Sequence, residues 1–152
     1  MYSLLLSLHS IFRWLVLISL IFSIYMAYRG MLERKVFTAK ADAVRHWTAT
    51  IAQIQMLIGM VLYFQSPIVS VRMVDTAGLL NQHTFFRYIH VAMMILAVVL
   101  VTVGSAKAKR MVHDRDKYQT ILKWFILALI VILIAIPWPF SPFAGRPYLR
   151  TF

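Results

Sequence analysis

The 152-residue chain is 61% hydrophobic and only 14% charged, with a mean hydropathy of +0.76. Soluble domains average about 45–50% apolar and about 25% charged residues, so the composition excludes an ordinary soluble protein. The absence of Cys excludes disulfides, thiol catalysis, all-cysteine iron–sulfur clusters and covalent heme attachment. We therefore predict an integral membrane protein in which any redox chemistry uses a non-covalent cofactor.

Four apolar stretches are each long enough to cross a hydrocarbon core, which needs about 20 helical residues. They run from about Leu4 to Tyr28, from Trp47 to Phe64, from Phe85 to Ala106 and from Ile121 to Pro139. Backbone amides in lipid must pair within their own segment, and the stretches lack the alternation of barrel strands. The sequence predicts an all-α protein, a four-helix bundle that forms a single transmembrane domain over residues 1–152. We expect the first stretch to be a retained helix, because it is too long for a signal peptide and follows no basic leader.

The basic residues predict how the helices are oriented. Most of the 16 Lys and Arg residues lie in or beside two connections, between the first and second stretches and between the third and fourth. They are Arg29, Arg34, Lys35, Lys40 and Arg45 in the first, and Lys107, Lys109, Arg110, Arg115, Lys117 and Lys123 in or just after the second. The positive-inside rule places both connections in the cytoplasm and both termini on the outer side of the membrane. The positive charge, a net +11, then determines the membrane topology and attracts anionic lipid head groups. No nucleic-acid motif accompanies it.

Two histidine–arginine pairs are predicted to lie at one depth in the membrane. His9 and His90 each lie about five residues into their helix, so both imidazoles lie roughly 7–8 Å below the outer end. Arg13 follows His9 by one helical turn, and Arg87 precedes His90 by one turn, so each pair shares a helix face. Ionisable groups at depth are costly and normally face the bundle interior. We expect all four side chains to meet in one layer.

No acidic residue lies within the four stretches, so the arginines call for another anionic partner. We hypothesise a b-type heme between the first and third helices, with His9 and His90 as axial ligands to iron and Arg13 and Arg87 facing the propionates. The alternative is structural: interfacial histidines form hydrogen bonds, and Arg87 extends to the membrane surface.

The other polar residues favour structural roles. His46 and His113 are expected at the cytoplasmic edge and His83 in the outer loop, where loop or interface roles are more common than ligation. Gln53 and Gln55 are expected to form interhelical hydrogen bonds, although a quinone site would use the same groups. The fourth stretch is almost wholly aliphatic, which predicts a packing or lipid-facing helix.

Four segments carry a resemblance to a known family. LHSIFRWLVL, QIQMLIGMVLYFQSPIV, IHVAMMILAVVLVTVGSAKAKR and IAIPWPF resemble small bacterial four-helix membrane proteins labelled cytochrome-B-like. The resemblance covers all four stretches and implies that His9, Arg13 and His90 match the family's histidine, arginine and histidine. The chain departs from the family at Gln53, where relatives can carry a histidine, and at Ile89, where they can carry a glutamate.

Three functions stay open from the sequence. The first is a single-heme cytochrome b that passes electrons to or from a quinol or a partner complex. The second is a cofactor-free accessory subunit of a larger inner-membrane complex, and the third is a lipid- or quinone-binding protein. Hydrolysis is disfavoured because no intramembrane carboxylate or activated nucleophile accompanies the histidines, so an electron carrier or subunit is a better reading than a self-standing enzyme.

Overall fold

The computed structural model describes residues 2–66, 69 and 84–138. Four helices form nearly all of this part: α1 (Tyr2–Leu32), α2 (Ala39–Gln65), α3 (Phe85–Arg110) and α4 (Asp114–Ala135). The first turns of α3, Phe85–Ile89, are π-helical, and the rest is α-helix. Each of the four helices is long and apolar enough to cross a membrane. The described residues contain no strand, so the all-α prediction is confirmed for this part of the chain.

The helices pack in a ring. α1 contacts α2 and α4, and α3 contacts the same two helices, so α1 and α3 face each other across the diagonal. Short connections of residues 33–38 and 111–113 join α1 to α2 and α3 to α4, which makes each pair antiparallel. The N-terminal parts of α1 and α3 line one cavity together with the C-terminal half of α2. α1 and α3 therefore run in the same direction, as the sequence predicts.

The helix ends differ from the predicted spans for local reasons. α2 begins at Ala39, well before Trp47, because the Thr38 hydroxyl accepts a hydrogen bond of 3.3 Å from the Ala41 N–H and caps the helix. α4 ends at Ala135, before the predicted limit of Pro139, because the residue preceding Pro137 is driven out of the helical region. Pro139 itself lies outside the described residues, as do His83 and the C-terminal segment after residue 138.

Small residues let the helices approach closely in the half of the bundle away from the cavity. A Cβ atom placed on Gly104 of α3 would lie 2.3 Å from Cβ of Trp124 on α4, and one on Gly30 of α1 would lie 2.4 Å from the ring of Tyr118. Phe125 of α4 is fully buried in the hydrophobic core of the bundle. These contacts give α4 a packing role, one of the two roles that its sequence predicts.

Arg45 departs from its predicted place in the first basic connection. It lies within α2 and is only 4% exposed. Its guanidinium contacts the Asp42 carboxylate at 2.8 Å and donates a hydrogen bond of 3.0 Å to the Ser105 carbonyl on α3, with a further bond to the Ser105 hydroxyl. A buried cation must be paired, and this one joins α2 to α3 at the end of the bundle opposite the cavity.

Candidate functional site

A cavity of about 190 Å³ lies among α1, α2 and α3, at the end of the bundle where α1 and α3 begin. Most of its lining is apolar or aromatic, including Leu6, Met56, Met60, Tyr63, Phe86 and Met94. Among the described residues that line it, the imidazole, guanidinium and amide side chains are His9, Arg13, Gln55 and His90. Apolar walls with a few convergent polar groups are the usual composition of a ligand site.

The imidazole of His90 is held by a neighbouring helix. Its Nδ1 atom lies 2.8 Å from the carbonyl oxygen of Ala135 on α4. A carbonyl oxygen can only accept, so Nδ1 carries the proton, and in the neutral ring Nε2 is left as the acceptor nitrogen. The rings of Phe85 and Phe86 flank the imidazole, each with its centroid 5.9 Å away.

The π-helical turn places these aromatic rings. Phe85–Ile89 ends directly before His90, and the His90 N–H bonds back to the carbonyl of Phe85 across five residues. π turns are rare, and they occur frequently at functional sites because they redirect the side chains around them. The rings of the two phenylalanines and the histidine therefore lie against one another at the start of α3.

His9 approaches from α1 and packs against α2. Its Nδ1 atom is fully enclosed and has no hydrogen-bond partner among the described residues. A Cβ atom added to Gly59 of α2 would lie 3.2 Å from Cε1 and 3.6 Å from Nδ1 of this imidazole. The glycine thus provides the space that the ring occupies, and the Nδ1–Cε1 edge of the ring faces α2.

The two predicted arginines have different places. Arg13 lines the same cavity as both imidazoles, and its Cζ lies 5.5 Å from the ring centre of Trp14. Arg87 is not among the described residues that line the cavity, and its Cζ lies 5.5 Å from the ring centre of Tyr88. The structure therefore brings three of the four predicted site residues together on one cavity, with Arg87 beside it.

Both glutamines of α2 form the interhelical hydrogen bonds that the sequence predicts. Gln53 Nε2 donates to the hydroxyl of Thr102 on α3 at 3.1 Å, and Gln55 Nε2 donates to the carbonyl oxygen of His9 on α1 at 3.0 Å. Gln55 lines the cavity, and its Oε1 atom is buried without a partner in the described part of the chain. Of the two, Gln55 is the one that belongs to the site.

Two contributors to the site were not predicted as such. The Ala135 carbonyl carries no sequence signal, because any residue supplies the same atom and its position depends on how α3 and α4 pack. Gly59 does share a helix face with Gln55, but no feature of the sequence shows that a histidine ring faces it. His46 and His113 lie away from the cavity, beside Trp47 and directly before α4.

The chain was compared with protein-family models, curated proteins and solved structures, and none of these comparisons gave a match. The resemblance to cytochrome-B-like membrane proteins therefore stays a prediction. The case for a function depends on the cavity and its residues.

Proposed function

We propose that this protein binds one b-type heme between His9 and His90 and carries electrons within a membrane. The observation that carries the proposal is the convergence of these two histidines, from diagonally opposed helices, on a single mainly apolar cavity. Bis-histidine ligation needs two imidazoles from facing helices with a low-dielectric space between them. The heme would supply reversible one-electron chemistry at its iron.

The donor atoms fit this group. Metal-ligating histidines almost always donate their second ring N–H to a carbonyl, carboxylate or water, and His90 does so to Ala135. Its Nε2 atom is then the nitrogen left for iron. For His9, the enclosure of Nδ1 likewise leaves Nε2 as the ring nitrogen available to a metal.

The size of the cavity sets a condition on heme binding. Its volume of about 190 Å³ is below the roughly 300–1,000 Å³ of pockets for drug-sized ligands. A porphyrin ring therefore requires lining side chains to move, and three of these are methionines, Met56, Met60 and Met94. Unbranched thioether side chains repack more easily than branched ones, so these three methionines can rearrange to make room for a larger ligand.

The charge near the cavity favours an anionic ligand. Arg13 lines the same cavity as both imidazoles, and the described parts of the four helices hold acidic side chains only near the end opposite the cavity, as at Asp42 and Asp114. Heme propionates are carboxylates, and charge-assisted hydrogen bonds from a guanidinium would hold them well. We assign this role to Arg13 and, from its place one turn before His90, to Arg87.

The basic connections support an orientation for this site. The short connections 33–38 and 111–113 lie at the end of the bundle opposite the cavity, and Arg34, Lys35, Lys109 and Arg110 lie in or beside them. With these connections in the cytoplasm, the cavity lies in the outer half of a bacterial inner membrane and both termini face the periplasm. A quinol or a partner complex on that side would exchange electrons with the site.

A quinol-binding protein is the second candidate, and one observation favours it. His9 Nδ1 and Gln55 Oε1 are both buried without partners, and both can accept a hydrogen bond. The two hydroxyl groups of a hydroquinone would satisfy them. A quinone extracted in stoichiometric amount from a colourless preparation would support this candidate over heme.

The absorption spectrum of the detergent-purified protein tests the proposal. The protein is expressed with heme supplied and examined as a reduced-minus-oxidised difference spectrum, with a pyridine hemochrome assay for stoichiometry. We expect sharp low-spin b-type bands and about one heme per chain, as bis-histidine ligation requires. A stably folded protein that stays colourless after reconstitution with hemin would overturn the heme assignment.

A further inference from the structure

The amide of Gln55 has one satisfied end and one unsatisfied end. Its Nε2 donates to the carbonyl oxygen of His9 at 3.0 Å, which ties α2 to α1 at the helical turn that carries the histidine. Because that carbonyl can only accept, the orientation of the amide is fixed by its partner. The opposite atom, Oε1, is then a buried acceptor without a partner among the described residues.

The ring of His9 also has a buried polar atom without a partner, at the same contact between α1 and α2. Its Nδ1 atom is buried and unpartnered within the described part of the chain, and its Nδ1–Cε1 edge faces Gly59. Gly59 follows Gln55 by one helical turn, so both residues lie on the face of α2 that covers His9. Two enclosed polar atoms without partners thus lie on one contact between α1 and α2. Such atoms are costly to bury unless they are paired.

We propose that Gln55 is the positioning residue for His9, with its Oε1 accepting a hydrogen bond from His9 Nδ1–H when the site holds its heme. The inference rests on the proposed function. The hydrogen bond would place the proton of His9 on Nδ1 and direct Nε2 to the iron. Both histidines would then donate Nδ1–H to an oxygen atom of the protein, because His90 already has the Ala135 carbonyl as its acceptor.

Gln53 is a matched control on the same helix. It is also a glutamine, and it also donates through Nε2 to another helix, to the Thr102 hydroxyl at 3.1 Å. It is not among the described residues that line the cavity. A substitution at Gln53 removes an interhelical hydrogen bond of the same kind without touching either histidine.

The test compares Gln55→Leu, Gln55→Glu and Gln53→Leu with the wild-type protein, by hemin titration and by the midpoint potential of the bound heme. Removing the partner of a metal-ligating histidine typically costs about 10–100-fold in metal affinity, so we expect that loss for Gln55→Leu. Gln55→Glu should keep the heme and lower its potential, because a carboxylate acceptor makes the imidazole a stronger donor to iron. Gln53→Leu should match the wild type in both measurements.

The outcomes separate the two proposals. If the wild type binds no heme, the proposed function fails and this inference fails with it. If the wild type binds heme but both Gln55 variants match Gln53→Leu in affinity and in potential, only the role of Gln55 is overturned. If Gln55→Leu does not fold, the potential of Gln55→Glu decides, and an unchanged potential rejects the role.

Discussion

The Nδ1 atom of His90 lies 2.8 Å from the carbonyl oxygen of Ala135, the last residue of α4. The last four carbonyls of a helix have no partner within the helix, so this oxygen needs an outside donor. The imidazole supplies that donor and is itself fixed in one tautomer. One contact therefore satisfies the last carbonyl of α4 and orients the candidate ligand on α3.

The first prediction concerns the two candidate ligands. His9→Ala and His90→Ala should each abolish the low-spin heme spectrum, because each removes one of the two proposed ligands to iron. His46→Ala and His113→Ala should keep the wild-type heme content, because neither residue is among the described residues that line the cavity. Heme content per chain is measured by pyridine hemochrome, and the size-exclusion profile in detergent confirms that each variant is folded. Full heme content in both His9→Ala and His90→Ala would reject the assignment.

The second prediction concerns the space beside His9. In Gly59→Ala the new Cβ would lie 3.2 Å from Cε1 of His9, which is tighter than ordinary contact, so the ring must shift by a few tenths of an ångström. Alanine is favoured over glycine in a helix by about 1 kcal/mol, so the fold should not suffer. We expect unchanged or slightly higher thermal stability together with a loss of about tenfold in heme affinity, comparable to other changes that disturb a ligand's orientation. Wild-type affinity in this variant would show that the ring does not need this position.

The third prediction uses the same substitution at another helix contact. In Gly104→Ala the new Cβ would lie 2.3 Å from Cβ of Trp124, and helices α3 and α4 must move apart. Overpacking typically costs about 1–3 kcal/mol, which exceeds the gain in helix propensity. We expect a lower free energy of unfolding in detergent, measured by titration with a denaturing detergent. Stability equal to that of the wild type would mean that α3 and α4 do not pack as closely as described.

The sequence predicted the helices and the two histidines better than it predicted their surroundings. Length and hydropathy determine the number of spans, and position along parallel helices places His9 and His90 at one level. Contacts between residues that are far apart in the sequence produce no comparable pattern in it. The partner of Arg45 is Ser105, which lies 60 positions away, and the charge alone suggested an exposed connection. The roles of Gly59 and the Ala135 carbonyl likewise depend on how the helices pack.

The fourth prediction concerns the buried arginine at the opposite end of the bundle. Asp42→Ala removes the carboxylate partner of Arg45 and leaves a guanidinium that is only 4% exposed. The guanidinium keeps its hydrogen bonds to Ser105, so we expect the loss of one charge-assisted hydrogen bond, about 1.5–3 kcal/mol. Arg45→Met should cost less, because the remaining Asp42 carboxylate is 46% exposed and water can hydrate it.

A matched control separates this effect from the helix dipole. Asp116 lies in the first turn of α4 as Asp42 lies in that of α2, and an acidic residue there contributes about 0.3–1 kcal/mol. Asp116→Ala should therefore lose only this smaller amount. If Asp42→Ala and Asp116→Ala have the same unfolding free energy, the buried pair contributes nothing beyond the dipole.

The fifth prediction concerns the end of α1. Arg34 has a φ of 49°, in the left-handed region that residues with a Cβ rarely adopt. The Lys35 N–H bonds to the Gly30 carbonyl at 2.9 Å, the six-to-one bond of a Schellman motif, and that motif requires this backbone conformation. Arg34→Gly should relieve the strain and raise the free energy of unfolding by about 1 kcal/mol, whereas Arg34→Ala removes the same charge and keeps the Cβ. Comparison of the two variants by denaturing-detergent titration isolates the backbone effect, and equal stabilities would contradict a left-handed Arg34.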